Sequence, residues 1–437
     1  MTNAKFLILT LRNRQLQTKR IHPAWTAAGV TFLTLVATAG FRSAPSVLII
    51  PLQQAFRWNR EQISLAISVN VLLFGLTAPF AAALMERFTI RKVVMSALAV
   101  VGSGALGTIW MSSPWHLVLL WGVVVGVGTG AMALVFAASV ANRWFVQRRG
   151  LVIGGLTAAS ATGQLIFLPG LSYLAVHHGW KSVSITVACG AFVMIPLIFI
   201  FLKERPSSAG VSAYGAPDGW SEPLQIKRNA GKLAVVTLRD SMKVRDFWYL
   251  AGSFMVCGLS TSGLVGTHFI PACGDHGMPQ VTAASLLALI GVFDVIGTLF
   301  SGWLTDRIDP RKLLFFYYLL RGLSLFLLPH ILFASPHPST LVFIIFYGLD
   351  WVATVPPTVL LCRQVVGAER GTVVYGWVFA SHQIGGAIAA YGAAVIHTKL
   401  GDYSWAFYIS GFLCVITSYF VLQIGKSKDP VKELASA

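Results

Sequence analysis

The sequence is poor in charge. Asp, Glu, Lys and Arg together make up 11% of its 437 residues, whereas 55% are apolar and the mean hydropathy is +0.70. A soluble domain normally carries about a quarter charged residues. The shortage of charge therefore excludes an ordinary soluble enzyme and favours a protein embedded in a lipid bilayer.

Cysteine is scarce as well, and the residue spacings typical of nucleophile–base pairs or metal ligands are not visible. The five cysteines form no Cys-x-x-Cys pair, so we predict neither a disulfide framework nor a metal site. The glycine-rich run at 126–130 lies inside an apolar stretch with no adjacent strand, and is therefore not a nucleotide loop. We predict no enzyme activity and no cofactor.

Long apolar runs take the place of these features. A bilayer crossing needs roughly 20 apolar residues, and the chain has twelve such runs. They lie near 24–50, 60–84, 93–112, 115–142, 150–175, 181–202, 247–271, 281–305, 311–334, 339–362, 371–397 and 402–424. The first run follows about 23 polar and basic residues without a small-residue cleavage site, which predicts a retained helix. The predicted fold class is all-α integral membrane, with twelve transmembrane helices.

The net charge of +17 follows the predicted topology. When alternate connections are assigned to opposite sides, 27 of the 33 Lys and Arg fall on the side of the N-terminus. Four fall on the other side and two, Arg42 and Arg321, lie inside the membrane. Cytoplasmic loops carry an excess of Lys and Arg. This bias predicts that both termini lie in the cytoplasm, and it explains the basic charge without nucleic acid.

Two loops recur at one spacing. Residues 82–92 end in Glu86-Arg87-Phe-Thr-Ile-Arg91-Lys, and residues 302–312 contain Asp306-Arg307-Ile-Asp-Pro-Arg311-Lys, 220 positions later. Arg143 and Arg363 are separated by the same 220 positions, and the Arg-Gly pairs at 149 and 370 by 221. The repeat predicts two related six-helix halves.

The duplication divides the chain into five parts. We expect a cytoplasmic tail (1–23), a first bundle (24–203), a linker (204–246), a second bundle (247–424) and a C-terminal tail (425–437). About 40 linker residues rich in Pro, Gly and basic side chains leave no room for a further folded domain. Leu233 to Val236 are expected to form the apolar side of a surface helix in the linker.

The repeated loops resemble the G-x-L-x-D-R-x-G-R-[RK] loop of the major facilitator superfamily, over essentially the whole chain. The second copy is close, whereas the first has Ala82 for Gly and Glu86 for Asp. The resemblance implies two bundles that rock about a central site. It also implies that charges in these loops control the change of conformation, namely Glu86, Arg87, Arg91, Asp306, Arg307 and Arg311. The alternative is that these charges only fix topology.

Two further stretches narrow the resemblance. Residues 144–160, Trp-Phe-Val-Gln-Arg-Arg-Gly-Leu followed by small residues, look like a loop-to-helix motif of monocarboxylate porters. Thr267-His268-Phe-Ile-Pro271, with Val281-Thr-Ala-Ala, is similar to bacterial relatives that include oxalate:formate exchangers. The resemblance implies transport of small organic anions.

Ionisable groups at membrane depth cost about 2.5–3.5 kcal/mol even on the mildest insertion scale, and therefore call for a reason. Counting about 1.5 Å per residue from the nearest cytoplasmic loop places Asp294, Arg321 and Asp350 roughly 15–20 Å deep, near one level. Arg321 is expected to pair with Asp294 or Asp350, either as a structural pair or for proton coupling. In the porters that the chain resembles, an Asp in the eighth helix is followed by an Arg four residues later; here Asp294 is followed by Thr298.

The first half has one charge at membrane depth, Arg42. A guanidinium binds a carboxylate in bidentate fashion, which suits an anionic substrate; the alternative is an arginine that extends to the lipid headgroups. We predict substrate contacts from Arg42, His268 and Asp350, and proton coupling through Asp294, Arg321 and His382. Either histidine has a purely structural role as its alternative.

These features predict a monomeric secondary transporter of small organic anions, coupled to protons or to a counter-anion. Two alternatives stay open from the residues alone. The first is an exporter of hydrophobic or siderophore-like metabolites, which predicts an apolar cavity and no dependence on Arg42. The second is a membrane receptor that transports nothing.

Overall fold

A computed structural model describes residues 22–132, 134–217 and 230–425. Within these ranges every regular element is helical, apart from one isolated β-bridge between Phe145 and Tyr214. Residues 1–21 and 426–437 of the predicted tails, residues 218–229 of the linker and the side chain of Glu86 lie outside the described residues.

The first bundle contains six helices. They are α1 Pro23–Phe56, α2 Arg60–Phe88, α3 Ile90–Gly107, α4 (Pro114–Leu117, Val118–Val125, Gly126–Gly130 and Leu134–Trp144), α5 Arg149–His178 and α6 Trp180–Phe201. In α4 the stretch Val118–Val125 is wound more widely than an α-helix, as a π-helix. Proline interrupts the backbone hydrogen bonding of α1 at Pro45 and Pro51, because its nitrogen carries no hydrogen.

The second bundle repeats this arrangement. Its helices are α7 (Arg245–Gly258, Leu259–Val265 and Gly266–Asp275), α8 Gln280–Thr305, α9 Pro310–Leu327, α10 (Pro338–Asp350 and Val355–Val366), α11 Ala368–Leu400 and α12 Ser404–Val421. The helix of α10 is broken at residues 351–354. This break positions the charged residues discussed below.

Within the described ranges, nine helical stretches have the length and hydropathy needed to cross a bilayer, and Pro114–Gly130 is a shorter apolar helix. The predicted all-α fold of twelve helices in two bundles is confirmed. Several helices are longer than the apolar runs that predicted them; α1, for example, extends to Phe56 rather than to residue 50.

The two bundles meet mainly through α2 against α11, α5 against α8, and α1 against α7. The Ser68 hydroxyl of α2 donates to the Ala387 carbonyl of α11 at 2.8 Å. Packing is also close inside the second bundle, where a Cβ added to Gly258 of α7 would lie 1.8 Å from the His382 carbonyl oxygen. The glycine is therefore required for α7 and α11 to approach this closely.

We call the face that carries the linker the linker side, and the other face the opposite side. A linker helix, Ala230–Ser241, packs against α2 of the first bundle and α11 of the second. The Trp377 indole of α11 donates to the Ala234 carbonyl at 2.9 Å. Ala234 is buried but Val235 and Val236 are exposed. Part of the predicted apolar side therefore packs against the bundles, and Val235 and Val236 lie on the outer surface.

Candidate functional site

A cavity of about 100 Å³ lies between the two bundles, and we call it the central cavity. Both bundles supply polar and aromatic side chains to its wall. They include Arg42, Ser46, Asn70, Phe74 and Gln164 from the first bundle, and Ser262, Thr267, Leu287, Trp351 and Gln383 from the second. None of the described residues that line the cavity is acidic. The cavity is therefore a mixed polar and apolar site with one fixed positive charge.

That charge belongs to Arg42, in the middle of α1. Phe41 and Ser43, on either side of it, are buried, whereas Arg42 itself is exposed to the cavity. Its guanidinium carbon lies 4.3 Å from the centroid of the Phe74 ring, a cation–π contact. No hydrogen bond or ion pair joins Arg42 to another described residue, which leaves the donor groups of its guanidinium available to a ligand.

The hydroxyl groups near Arg42 are already satisfied by their own helix. Ser43 donates to the Ala39 carbonyl and Ser46 to the Ser43 carbonyl, each at 2.8 Å. Pro45, between them, has no N–H to donate to the Phe41 carbonyl. These contacts keep α1 helical around its proline and leave the arginine as the principal donor from this helix.

Amides provide the other polar contacts of the cavity. Asn70 donates through Nδ2 to the Trp121 carbonyl at 2.7 Å, which fixes its side chain. Gln383 is 2% exposed, and its Oε1 has no hydrogen-bond partner among the described residues. Leaving a buried acceptor without a hydrogen-bond partner costs free energy. A ligand hydroxyl or amide that donated to Gln383 would remove this cost, which would favour binding.

The three charges predicted at one level all meet at the break in α10. Arg321 of α9 donates from Nε to the Asp350 Oδ2 at 2.6 Å and from Nη2 to the Asp350 carbonyl oxygen at 2.6 Å. Asp294 of α8 accepts the backbone N–H of Val352 and the Thr298 hydroxyl, both on Oδ1 at 3.0 Å. The open question of the arginine's partner is thereby answered: Arg321 pairs with Asp350.

This cluster stabilises backbone groups that the broken helix leaves free. The carboxyl end of a helical segment has carbonyls without a helical partner, and Arg321 donates to that of Asp350 and, at 3.4 Å, to that of Trp351. The Arg321 side chain is fully buried, and the Asp350 side chain is 11% exposed. Trp351 extends from the same break into the central cavity. The described lining of the cavity includes neither Arg321 nor Asp350, so the pair is behind the site rather than in it.

The two predicted histidines also lie away from the described wall of the cavity. His268 is fully buried, with Nε2 2.7 Å from the Ala390 carbonyl oxygen and Nδ1 3.2 Å from the Tyr403 hydroxyl. His382 packs between the rings of Phe254 and Phe379, at centroid distances of 4.9 and 5.8 Å. The geometry gives both a structural environment, and their functional roles stay predictions.

The loop charges make mostly local contacts on the linker side. Arg307 donates to the Trp303 carbonyl at 3.0 Å, and Asp306 and Arg307 are both exposed. Arg311 donates from Nε and Nη2 to the two carboxylate oxygens of Asp309, and from Nη1 to the Ile424 carbonyl at 3.3 Å. The hydrogen bonds from Arg311 lower the pKa of Asp309 below its usual value.

The corresponding arginines of the first bundle differ in their contacts. The Arg87 guanidinium lies over the Phe88 ring, with its central carbon 5.1 Å from the centroid. Arg91 reaches the Phe199 carbonyl of α6 at 3.5 Å. These positions place the predicted control residues at helix ends, and that role stays a prediction.

Two charged groups were missed from the sequence. Glu204, just after α6, forms an ion pair with Arg143 and accepts the backbone N–H groups of Ile90 and Arg91 at the start of α3. The second is Arg60, which was predicted to be a loop charge on the side away from the N-terminus. In the structure it is buried and paired with Asp275 of the other bundle. Glu204 has no acidic counterpart 220 positions later, where Ile424 stands, and no sequence pattern linked Arg60 to Asp275.

Comparisons with known proteins agree with this architecture. A family model described as Major Facilitator Superfamily matches residues 30–390. The chain is 24% identical over 383 residues to the uncharacterized MFS-type transporter YcxA of Bacillus subtilis, covering 87% of this chain and 90% of that protein. It is 25% identical over 426 residues to monocarboxylate transporter 12 of Xenopus laevis, covering 94% and 90% respectively.

Among solved structures, a D-xylose–proton symporter superposes with a TM-score of 0.70 at 14% identity. The superposition covers 92% of this chain and 97% of that one. At this identity the likeness shows the shared fold alone.

Proposed function

Because the chain belongs to the Major Facilitator Superfamily, and is therefore a membrane transporter and not an enzyme, we propose that it moves small organic anions of the monocarboxylate kind by alternating access. The observation that carries the proposal is Arg42, a cation exposed in the central cavity with no described carboxylate partner. The resemblance to a monocarboxylate transporter over 94% of the chain supports the same class of substrate.

The cavity is suited to an anion with one carboxylate. A guanidinium offers two parallel N–H donors to a carboxylate, and this pairing is stronger in a site shielded from water. The single described cation can neutralise one carboxylate, while Phe74, Leu287 and Trp351 offer apolar surface to the rest of the molecule. Gln383 can accept a hydrogen bond from a hydroxyl substituent.

Coupling to protons is assigned to Asp294. Both hydrogen bonds described for this carboxylate reach Oδ1, so Oδ2 is left to take up a proton. Because Asp294 holds the Val352 N–H, a change in its charge acts directly on the break that carries Trp351. An exchange of substrate for a counter-anion at Arg42 is the second mode of coupling, and it needs no titration of Asp294.

The proposal includes an orientation. The linker side faces the cytoplasm, because the sequence pattern assigns 27 of the 33 basic residues to the connections on this side and cytoplasmic loops carry an excess of Lys and Arg. The opposite side then faces outward from a bacterial-type inner membrane. The protein works as a monomer, with the central cavity between its own two bundles.

Uptake by proteoliposomes tests the proposal. The full chain is reconstituted and supplied with radiolabelled monocarboxylates and dicarboxylates, with and without an inward proton gradient, and with counter-anions inside. We expect uptake of at least one monocarboxylate. Arg42→Gln should reduce it roughly 10- to 100-fold, because a hydrogen bond to a charged group contributes about 1.5–3 kcal/mol. Lys181→Gln, which removes a positive charge on the opposite side outside the described cavity wall, should leave uptake unchanged.

The proton role of Asp294 has its own test. Asp294→Asn should abolish accumulation driven by the proton gradient while exchange of labelled for unlabelled substrate continues. Asp402→Asn, which removes an exposed carboxylate on the opposite side, serves as the matched control. If no organic anion moves in either direction, the proposed substrate class is wrong. Uptake of hydrophobic compounds that is insensitive to Arg42→Gln would identify an exporter instead.

A further inference from the structure

On the opposite side, the two bundles meet at a buried arginine that the central cavity does not use. Arg60, in the first turn of α2, is 8% exposed. Its Nη1 and Nη2 donate to Oδ2 and Oδ1 of Asp275, at 2.6 and 2.5 Å. Asp275 is the last residue of α7, in the second bundle. The pair joins the bundles with the bidentate geometry by which a guanidinium recognises a carboxylate.

Two further side chains of the second bundle, His397 and Tyr403, lie next to this contact. The Arg60 Nη1 lies 3.0 Å from Nε2 of His397 and 3.2 Å from the Tyr403 hydroxyl. Nε2 of His397 is also 3.0 Å from the Asp275 Oδ2. Tyr403 is 3% exposed and is held in turn by His268. The carboxylate of Asp275 therefore accepts two hydrogen bonds from Arg60 and lies within hydrogen-bond distance of His397, an arrangement that a ligand carboxylate could also adopt.

The first bundle orients Arg60 by itself. The Arg60 Nε donates to Oε1 of Gln53, at the end of α1, at 2.9 Å. The start of α2 is fixed by a reciprocal cap, in which Asn59 and Gln62 each bond to the other's backbone N–H at 2.8 and 3.1 Å. These contacts all lie within the first bundle, so they do not depend on the second bundle.

We propose that Arg60 is a second carboxylate-binding site, at the external mouth of the transporter. Asp275 occupies this site while the mouth is closed, and an organic monocarboxylate occupies it while the mouth is open. The ligand class and the external orientation rest on the proposed function. Arg60 then receives the anion first, and Arg42 binds it deeper in the cavity.

The internal carboxylate sets the affinity of this site. A group tethered in the same molecule acts at an effective concentration on the order of millimolar or higher. A solute carboxylate therefore competes poorly against Asp275, and removing the Asp275 charge should reveal tight binding. Asp275→Asn also weakens closure of the mouth, which exposes the same arginine.

Binding of benzoate, a simple monocarboxylate, to the purified full-length protein tests the proposal. Arg42→Gln is the background, so that the central cavity contributes no cation. Adding Asp275→Asn should strengthen benzoate binding by at least about fivefold, given the strength of tethered competition. Adding Arg60→Gln as well should abolish this gain, and Arg60→Lys should recover only part of it, because lysine cannot pair with a carboxylate in bidentate fashion.

Glu61→Gln is the matched control. Glu61 is also a carboxylate on α2 that bonds across the bundles, since it accepts from the Tyr391 hydroxyl at 2.7 Å, but it does not pair with Arg60. In the Arg42→Gln background this variant should leave benzoate affinity unchanged. Equal gains from Glu61→Gln and Asp275→Asn, or no gain from Asp275→Asn in protein that stays monodisperse, would overturn the proposal.

The binding assay separates this site from the transport function. Benzoate binding that depends on Arg60 supports the external site even if the wild-type protein transports no organic anion. Conversely, anion transport that depends on Arg42, without any Arg60-dependent binding, supports the central site and refutes the external one.

Discussion

Replacing Asp350 by asparagine would leave the buried Arg321 guanidinium without its counter-charge. The Arg321 side chain is fully buried and its Nε lies 2.6 Å from the Asp350 Oδ2. Asparagine preserves the size of the side chain and the backbone carbonyl that accepts from Nη2, so the substitution removes little besides the charge. Breaking a buried ion pair by removing one partner costs about 3–5 kcal/mol.

That cost converts into a measurable loss of thermal stability. For a unit of 150–250 residues, the size of one bundle, 1 kcal/mol shifts the unfolding midpoint by about 2–4 °C, so the expected decrease is on the order of 10 °C. A thiol-reactive fluorescent dye can follow unfolding in detergent. Four of the five cysteines, Cys257, Cys273, Cys362 and Cys414, are buried and become reactive when the helices separate.

Two further variants make the result decisive. Asp294→Asn changes a carboxylate at a similar depth that has no described ion pair, and it should shift the midpoint by less than about a third as much. The double variant Arg321→Met with Asp350→Leu should recover most of the loss, because apolar residues of similar volume replace a buried pair at little cost. A midpoint for Asp350→Asn within about 2 °C of the wild type, roughly the shift expected of a surface substitution, would refute the reasoning.

Other positions give further predictions. Gly258→Ala should prevent stable folding, because its Cβ would lie 1.8 Å from the His382 carbonyl oxygen. Gly252→Ala on the same helix should be tolerated, because its Cβ would meet no atom within 4 Å. The yield of monodisperse protein from each variant tests the difference. Asp309→Ala should lower stability by about 1 kcal/mol, because the Asp309 side chain caps α9. Since the folded-state pKa of Asp309 is lowered, its contribution is present above the unfolded pKa and is lost as the pH falls through the folded one, so the difference from the alanine variant should shrink in acid. If the linker-side ion pair controls conformation, Glu204→Gln should slow transport while the unfolding midpoint stays close to that of the wild type. A lowered midpoint with an unchanged transport rate would indicate a structural role only.

The sequence predicted the fold because each helix must satisfy its own backbone in lipid, and this requirement leaves a long apolar run for every crossing. It also predicted that three charges lie near one depth, since helical rise converts residue number into height. It did not predict the choice between Asp294 and Asp350, because depth gives no information about rotation around the helix axis. The break in α10 decides that choice, and it depends on tertiary contacts from α8 and α9.

The central cavity was predicted only in part. Arg42 was identified because it is the one charge predicted at membrane depth in the first half, whereas Gln164 and Gln383 carry no charge and give no comparable signal in the sequence. The Arg60–Asp275 pair spans 215 residues, and a single sequence holds no signal for contacts at that separation. His268 and His382 were predicted from the chemistry of histidine and from the helices that carry them, whereas their surroundings of carbonyl, hydroxyl and aromatic groups cannot be read from the sequence.

The anchors at the linker side show how the two copies have diverged since the duplication. In the first bundle the carboxylate of Glu204 holds Arg143 and the start of α3. At the equivalent place 220 residues later, the backbone carbonyl of Ile424 receives Arg311. A backbone carbonyl is supplied by any amino acid, whereas the carboxylate is supplied only by an acidic one. A change of the side chain at position 424 therefore leaves this acceptor in place, whereas a non-acidic residue at position 204 loses the carboxylate, and the first bundle is the less tolerant of substitution at this anchor.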